Sequence, residues 1–170
     1  MKKTSVSRRV AIAGMIAALY AALTLLQNFL LPGSASAAIQ FRVAEALMML
    51  CLFSPTAIAG FTIGCAIANL SSGMSWDIVI GAFATLLAGL LIYATRKTTI
   101  KGFPLLSLLF PALCNGVIIG LEIALYQGVF RWSEFLTFGA CVALGEVVVS
   151  VVLGIPFFYL CKKIDIQRYF

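Results

Sequence analysis

Six apolar stretches, each closed by a short polar or basic segment, decide what this chain can become. A helix that crosses the hydrocarbon core of a bilayer, about 30 Å, needs about 20 apolar residues. Such stretches occupy residues 9–31, 76–95, 103–127 and 134–161. A further apolar run over residues 42–72 is interrupted by Ser54-Pro55. That pair suits a tight turn with Pro55 opening the next helix, which predicts helices over 42–53 and 55–70. At 1.5 Å per residue the first of these reaches only about 18 Å, so it is expected to be tilted or to span only part of the core. One long bent helix is the alternative, and it would reverse everything downstream. Pro104 falls in the first turn of the fifth predicted helix. Pro111 and Pro156 lie inside helices and are expected to kink them, with neighbouring helices satisfying the freed carbonyls.

Composition agrees. Of the 170 residues, 62% are hydrophobic and 11% charged, with a mean hydropathy of +1.08. A soluble domain carries about 25% charged residues, so a water-soluble globule is excluded. The expected fold class is an all-α integral membrane protein, one domain over 1–170, with six transmembrane helices. Histidine is absent, which removes imidazole zinc ligands, Ser-His-Asp triads and imidazole proton relays. Cys51, Cys65, Cys114, Cys141 and Cys161 form no CxxC pair and read as small core residues. No metal or cofactor is expected.

The net charge of +6 reflects topology rather than nucleic-acid binding. Lys2, Lys3, Arg8, Arg9, Arg96, Lys97, Lys101, Lys162, Lys163 and Arg168 fall on one side of a six-helix bundle, and only Arg42 and Arg131 on the other. Cytoplasmic loops carry the excess of Lys and Arg, so both termini are expected in the cytoplasm, with an even number of crossings. Lys2-Lys3 through Arg9 and Ala35-Ser36-Ala37 resemble a signal peptide and its cleavage site. The apolar run between them is longer than a signal core, so it is read as a retained helix, and residues 34–41 as a loop.

Carboxylates inside the apolar stretches give the sharpest functional signal. Glu45, Asp77, Glu122, Glu134 and Glu146 all fall toward the outer side in this topology. A charge at the bilayer centre costs at least about 2.5 kcal/mol, so such a group faces a partner, a cavity or a ligand. Asn115 and Glu122 are seven apart and share a helix face, with Tyr126 one turn further. Glu122 lies about 9 Å from its helix end, and Glu146 about 18 Å from its helix start. Asn69 ends the third predicted helix, Asp77 opens the fourth, and Arg42 and Glu45 stand three apart. Phe41, Trp76, Tyr126 and Trp132 are the nearby aromatics. The pattern suits a pocket for a small planar, donor-rich molecule, since carboxylates accept from an amidine-like edge or a cation and aromatics stack. Plainer readings stand beside it. Asp77 fits a first-turn carboxylate on a helix dipole, Arg42 and Glu45 a structural ion pair, and Arg131, Glu134 and the tryptophans the membrane interface.

The first helix carries two stripes of small residues, Ala13-Ala17-Ala21 and Gly14-Ala18-Ala22. Small residues every fourth position let another helix approach closely, either within this bundle or on an external partner. No GxxxxGK[ST] phosphate loop is present, and no internal repeat suggests two rocking halves. A solute-binding chain of this kind needs partners or a gradient to drive uptake. An intramembrane enzyme fits poorly, because no nucleophile accompanies the carboxylates.

The run Phe41-Arg42-Val43-Ala44-Glu45-Ala46-Leu47, then Leu52-Phe53-Ser54-Pro55-Thr56-Ala57-Ile58, Gly60, Ile63-Gly64-Cys65 and Ala68-Asn69-Leu70, resembles the queuosine-precursor transporter (QueT) family. So do Asp77, Gly81, Ala84-Thr85-Leu86-Leu87-Ala88 and the stretch from Asn115-Gly116 to Glu122. The resemblance covers nearly the whole chain. It implies a substrate-binding S-component of an energy-coupling factor (ECF) transporter, with six helices and an outward-facing pocket. The cargo would be a 7-deazaguanine base, such as queuine or 7-aminomethyl-7-deazaguanine. A transmembrane coupling protein and two cytoplasmic ATPases would power uptake. An Ala-x-x-x-Ala motif on the first helix would dock on the coupling protein, a pattern both small-residue stripes fit, and the loop 34–41 would match a gating loop. From the residues themselves, the expected ligand contacts are Glu122 and Glu146, with Asn115, Asn69, Asp77, Glu45, Arg42 and Tyr126 around them. The N1–H and exocyclic amine of a deazaguanine form a two-donor edge suited to one carboxylate. An aminomethyl cation would engage a second. An S-component for another vitamin-like solute, or a stand-alone transporter with Glu122 and Glu146 as proton carriers, are the competing readings.

Overall fold

Residues 5–32, 34, 40–71, 75–100, 102–126 and 128–170 are described by a computed structural model. Lys2, Lys3, Lys101, Ala35-Ser36-Ala37, Gln127 and most of the loop 34–41 lie outside the described residues. Among the described residues the chain is all helical, apart from an isolated bridge between Ile100 and Phe103. Six α-helices are present: α1 (Val6–Leu30), α2 (Thr56–Asn69), α3 (Ser75–Ala94), α4 (Leu105–Tyr126), α5 (Trp132–Val149) and α6 (Ile155–Lys163). A 3-10 helix, Val43–Leu52, lies between α1 and α2, and a π-helical turn, Ser150–Gly154, joins α5 to α6. Val6–Leu30, Trp76–Ala94, Leu105–Tyr126 and the continuous Trp132–Lys163 are long and apolar enough to cross a membrane. The chain is thus an all-α membrane protein. Val43–Leu52 and Thr56–Asn69 are shorter apolar helices, each reaching about 20 Å.

The segment expected as an α-helix over 42–53 is instead the 3-10 helix. Its rise of about 2.0 Å per residue carries ten residues further than an α-helix would. It occupies the centre of the bundle, packed against every α-helix and the π turn. Ala44, Glu45, Ala46, Met48, Met49, Leu50 and Cys51 are accordingly all buried.

Small residues set the closest helix pairs. On α1 the residues Ile16, Ala17, Tyr20, Ala21, Thr24 and Gln27 recur at three- and four-residue spacing and are buried. They face α2, where a Cβ at Gly60 would lie 2.8 Å from the Ala13 carbonyl and one at Gly64 2.8 Å from that of Ala17. The stripe Ala13-Ala17-Ala21 therefore belongs to this bundle's own packing. Gly14, Ala18 and Ala22 are exposed, and a Cβ at Gly14 would meet nothing within 4 Å. Between α4 and α5, Gly116 and Gly120 lie against Gly139, with a Cβ at Gly120 only 2.6 Å from the Gly139 Cα. Backbone approach of this kind is what holds helices together in lipid.

The prolines act differently from one another. Pro111 lies inside α4, as expected. Pro104 immediately precedes α4 rather than entering its first turn, and its carbonyl accepts from Leu108 N at 3.2 Å. The single helix expected over 134–161, with Pro156 inside it, is continuous but carries a π turn between α5 and α6. Pro156 opens α6 directly after the π turn. Proline has no N–H for the carbonyl four residues back, and the wider π turn absorbs that break.

Candidate functional site

The central 3-10 helix brings Arg42 and Glu45 to the middle of the bundle, and the surrounding helices supply the rest. Arg42 is 4% exposed and Glu45 1%, with Asp77 (α3), Glu122 (α4) and Glu146 (α5) at 5%, 8% and 0%. Four buried carboxylates thus meet one buried guanidinium. Arg42 lies within electrostatic reach of all four. Glu45 reaches Glu146 in the same way, and Asp77 reaches Glu122. Among the described residues no three acidic or thiol groups lie close enough to hold a metal ion.

Hydrogen bonds fix one oxygen of Glu45 and one of Glu146 and leave the other open. The Tyr20 hydroxyl donates to Glu45 Oε1, while Glu45 Oε2 has no partner. Asn115 Nδ2 donates to Glu146 Oε1 at 3.0 Å; Asn115 Oδ1 and Glu146 Oε2 have none. Neither oxygen of Glu122 has one. Asn69 Nδ2 donates to the Asp77 carbonyl at 2.9 Å, tying the end of α2 to the first turn of α3. It also approaches Cys65 Sγ at 3.7 Å, as Arg42 Nη1 does at 3.9 Å. A buried polar atom without a partner costs about 1–3 kcal/mol, more when charged. Native proteins keep few of these, and five of them on Glu45, Asn115, Glu122 and Glu146 make this cluster the candidate site.

Two glycines let the backbone close around this cluster. A Cβ at Gly81 would overlap the Asn69 amide and lie 3.2 Å from Asp77 Oδ1. A Cβ at Gly145 would overlap the backbone of Gln40, which therefore rests on α5 beside Glu146. At the last turn of α1, Gln27 Nε2 donates to Ser34 Oγ at 2.9 Å and to the Phe41 carbonyl, and Gln27 Oε1 accepts from Val43 N at 2.9 Å. Gln27 thereby anchors the start of the 3-10 helix.

Of the residues singled out from the sequence, Arg42, Glu45, Asn69, Asp77, Asn115, Glu122 and Glu146 come together. Tyr126 does not: it stands in the last turn of α4 and is 71% exposed. Trp76 and Trp132 are likewise exposed, and Trp132 packs on Phe130 and Phe135. The aromatic ring at the cluster is instead Tyr20, edge-on to Phe61 at 5.9 Å. Glu45 accepts from Tyr20 and lies within electrostatic reach of Arg42, three residues before it. Arg131 and Glu134 pair at 3.6 Å on the exposed start of α5. The sequence reading missed Tyr20 and Gln27, although Tyr20, Thr24 and Gln27 stand four and seven apart on one face of an apolar helix.

A family model described as QueT transporter matches residues 10–163. A protein named queuosine precursor transporter QueT, from Lactococcus lactis subsp. cremoris (strain MG1363), is 30% identical over 178 aligned positions, covering 99% of this chain and 100% of its own length. No solved structure matches the chain.

Proposed function

The chain belongs to the QueT transporter family, and we propose that it is the substrate-binding S-component of an ECF-type importer for a queuosine precursor, a 7-deazaguanine base. The observation that carries this reading is the set of unpartnered oxygens on Glu45, Glu122 and Glu146 gathered around Arg42. A 7-deazaguanine offers N1–H and an exocyclic amine side by side, and one carboxylate accepts both. Queuine and 7-aminomethyl-7-deazaguanine also bear an amine, which is cationic at neutral pH. A second carboxylate then supplies its counter-charge, so the excess of acidic groups over the one guanidinium suits a guest of this type. Glu122 and Glu146 take the leading roles, with Asn115 holding Glu146, and Asn69, Asp77, Glu45 and Arg42 shaping the walls.

Uptake would follow from partners. The chain contains no phosphate loop, so a coupling protein and two cytoplasmic ATPases would supply the work. The exposed stripe Gly14-Ala18-Ala22 is the docking face on this reading, because Ala17 and Ala21 are buried against α2. Both termini lie in the cytoplasm of a bacterial cell and the polar cluster opens outward, as the distribution of Lys and Arg favours.

The test is mass spectrometry of small molecules that copurify with the chain from rich medium, joined to uptake in proteoliposomes. A copurified 7-deazaguanine, with uptake only when the ATPase module is added, is the expected result. A different copurified vitamin, or uptake by the chain alone under a pH gradient, overturns the reading.

A further inference from the structure

A second feature lies at the opposite end of α1 from Gln27. A groove of about 450 Å³ runs along the first half of the helix. Its walls are apolar: Ile12, Met15 and Leu19 from α1, Leu50 from the central 3-10 helix, and Ile166 and Phe170 from the C-terminal segment. Arg8 lines one end. From Arg8 to Leu19 the helix rises about 16 Å, roughly half the thickness of the hydrocarbon core. The groove is thus about one leaflet deep, with a cation at its terminal end.

Charge around that end is one-sided. Among the described side chains, Arg8, Arg9 and Arg168 are exposed on the two elements that form the groove, against one exposed side-chain carboxylate, Asp165. Arg8 Nη2 donates to the Tyr169 carbonyl at 3.0 Å. A guanidinium has five N–H donors, so this bond orients the group and leaves the others able to grip an anion. Nothing here resembles the carboxylate cluster, whose charge is of the opposite sign.

We infer that this groove is a binding site for an anionic phospholipid. One acyl chain lies along Ile12, Met15 and Leu19, and Arg8, with Arg9 and Arg168 nearby, holds the headgroup phosphate. Pairing an about one-leaflet apolar channel with a cluster of cations at its end selects an amphiphile, not a free anion or an apolar helix. The site is separate from solute capture and lies where α1 meets the C-terminal segment.

The full-length chain in detergent is titrated with palmitoyl-oleoyl phosphatidylglycerol and with the matched phosphatidylcholine, and native mass spectrometry counts the lipids retained. Phosphatidylglycerol is expected to be retained in preference. Arg8→Gln should cut that preference about five-fold, the effect of one basic residue at a membrane surface. Leu19→Trp, which fills the groove, should reduce retention of both lipids, and Arg131→Gln, at the start of α5, should change neither. Equal retention of the two lipids by the wild type overturns the inference. So do an unchanged preference in Arg8→Gln, displacement of the lipid by glycerol phosphate alone, or a dimer mass in place of the lipid adduct.

Discussion

Replacing Gly81 by alanine adds one methyl group on α3, and the structure directs that methyl at two members of the cluster. The new Cβ overlaps the Asn69 amide and stands 3.2 Å from Asp77 Oδ1. Asn69 is 5% exposed and has to turn away, which breaks its 2.9 Å bond to the Asp77 carbonyl. Losing one such bond costs about 0.5–1.5 kcal/mol, or roughly two-fold to tenfold in Kd if the guest depends on this wall. The same substitution favours the helix, since alanine in a helix interior is better than glycine by about 0.5–1 kcal/mol. Affinity and stability should therefore separate. Isothermal titration with 7-aminomethyl-7-deazaguanine is expected to give a weaker Kd, while thermal unfolding followed by Trp76 and Trp132 fluorescence shows Tm nearly unchanged. Gly14→Ala is the control, because its Cβ meets nothing within 4 Å, and it should leave Kd alone. An unchanged Kd in Gly81→Ala would refute the placement of Asn69 and Asp77 at the guest.

Other substitutions probe the remaining contacts. Tyr20→Phe removes the hydroxyl that donates to Glu45 Oε1 and leaves that buried oxygen without it, at a cost of about 1–3 kcal/mol; a fall in Tm of several degrees is the expected reading. Gly120→Val drives a branched side chain into the Gly139 backbone, which is 2.6 Å from where the first carbon would sit, and should destabilise the α4–α5 pair enough to reduce the yield of monodisperse protein on size exclusion. The two stripes of α1 should behave oppositely: Ala17→Ile lowers Tm because it collides with Gly64, whereas Ala18→Ile keeps Tm and blocks copurification with the coupling module. A 7-cyano-7-deazaguanine lacks the cationic amine, and should bind at least about tenfold more weakly than the aminomethyl compound in competition titrations.

The sequence carried the helical class and most of the polar inventory, because lipid tolerates few charges and each one inside an apolar run stands out. It carried less about how the runs pack. The segment Val43–Leu52 is apolar nearly throughout, so no periodicity distinguishes a 3-10 from an α-helix, and its geometry follows from lying at the centre of the bundle. The two small-residue stripes of α1 are equivalent in sequence; Gly60 and Gly64, far along the chain, decide which of them is covered. Tyr126 follows Glu122 by one turn, yet the bundle does not extend far enough to cover it. Tyr20 escaped notice because a tyrosine in an apolar helix reads equally well as an interface residue, and only the approach of Glu45 from another element reveals its role.

If the unpartnered carboxylates hold the guest, equilibrium binding of 7-aminomethyl-7-deazaguanine must depend on them. Wild type, Glu122→Gln and Glu146→Gln are compared at equal folded fraction. Each glutamine is expected to weaken binding by at least about tenfold, the worth of a charge-assisted hydrogen bond. Wild-type affinity in both variants would contradict it.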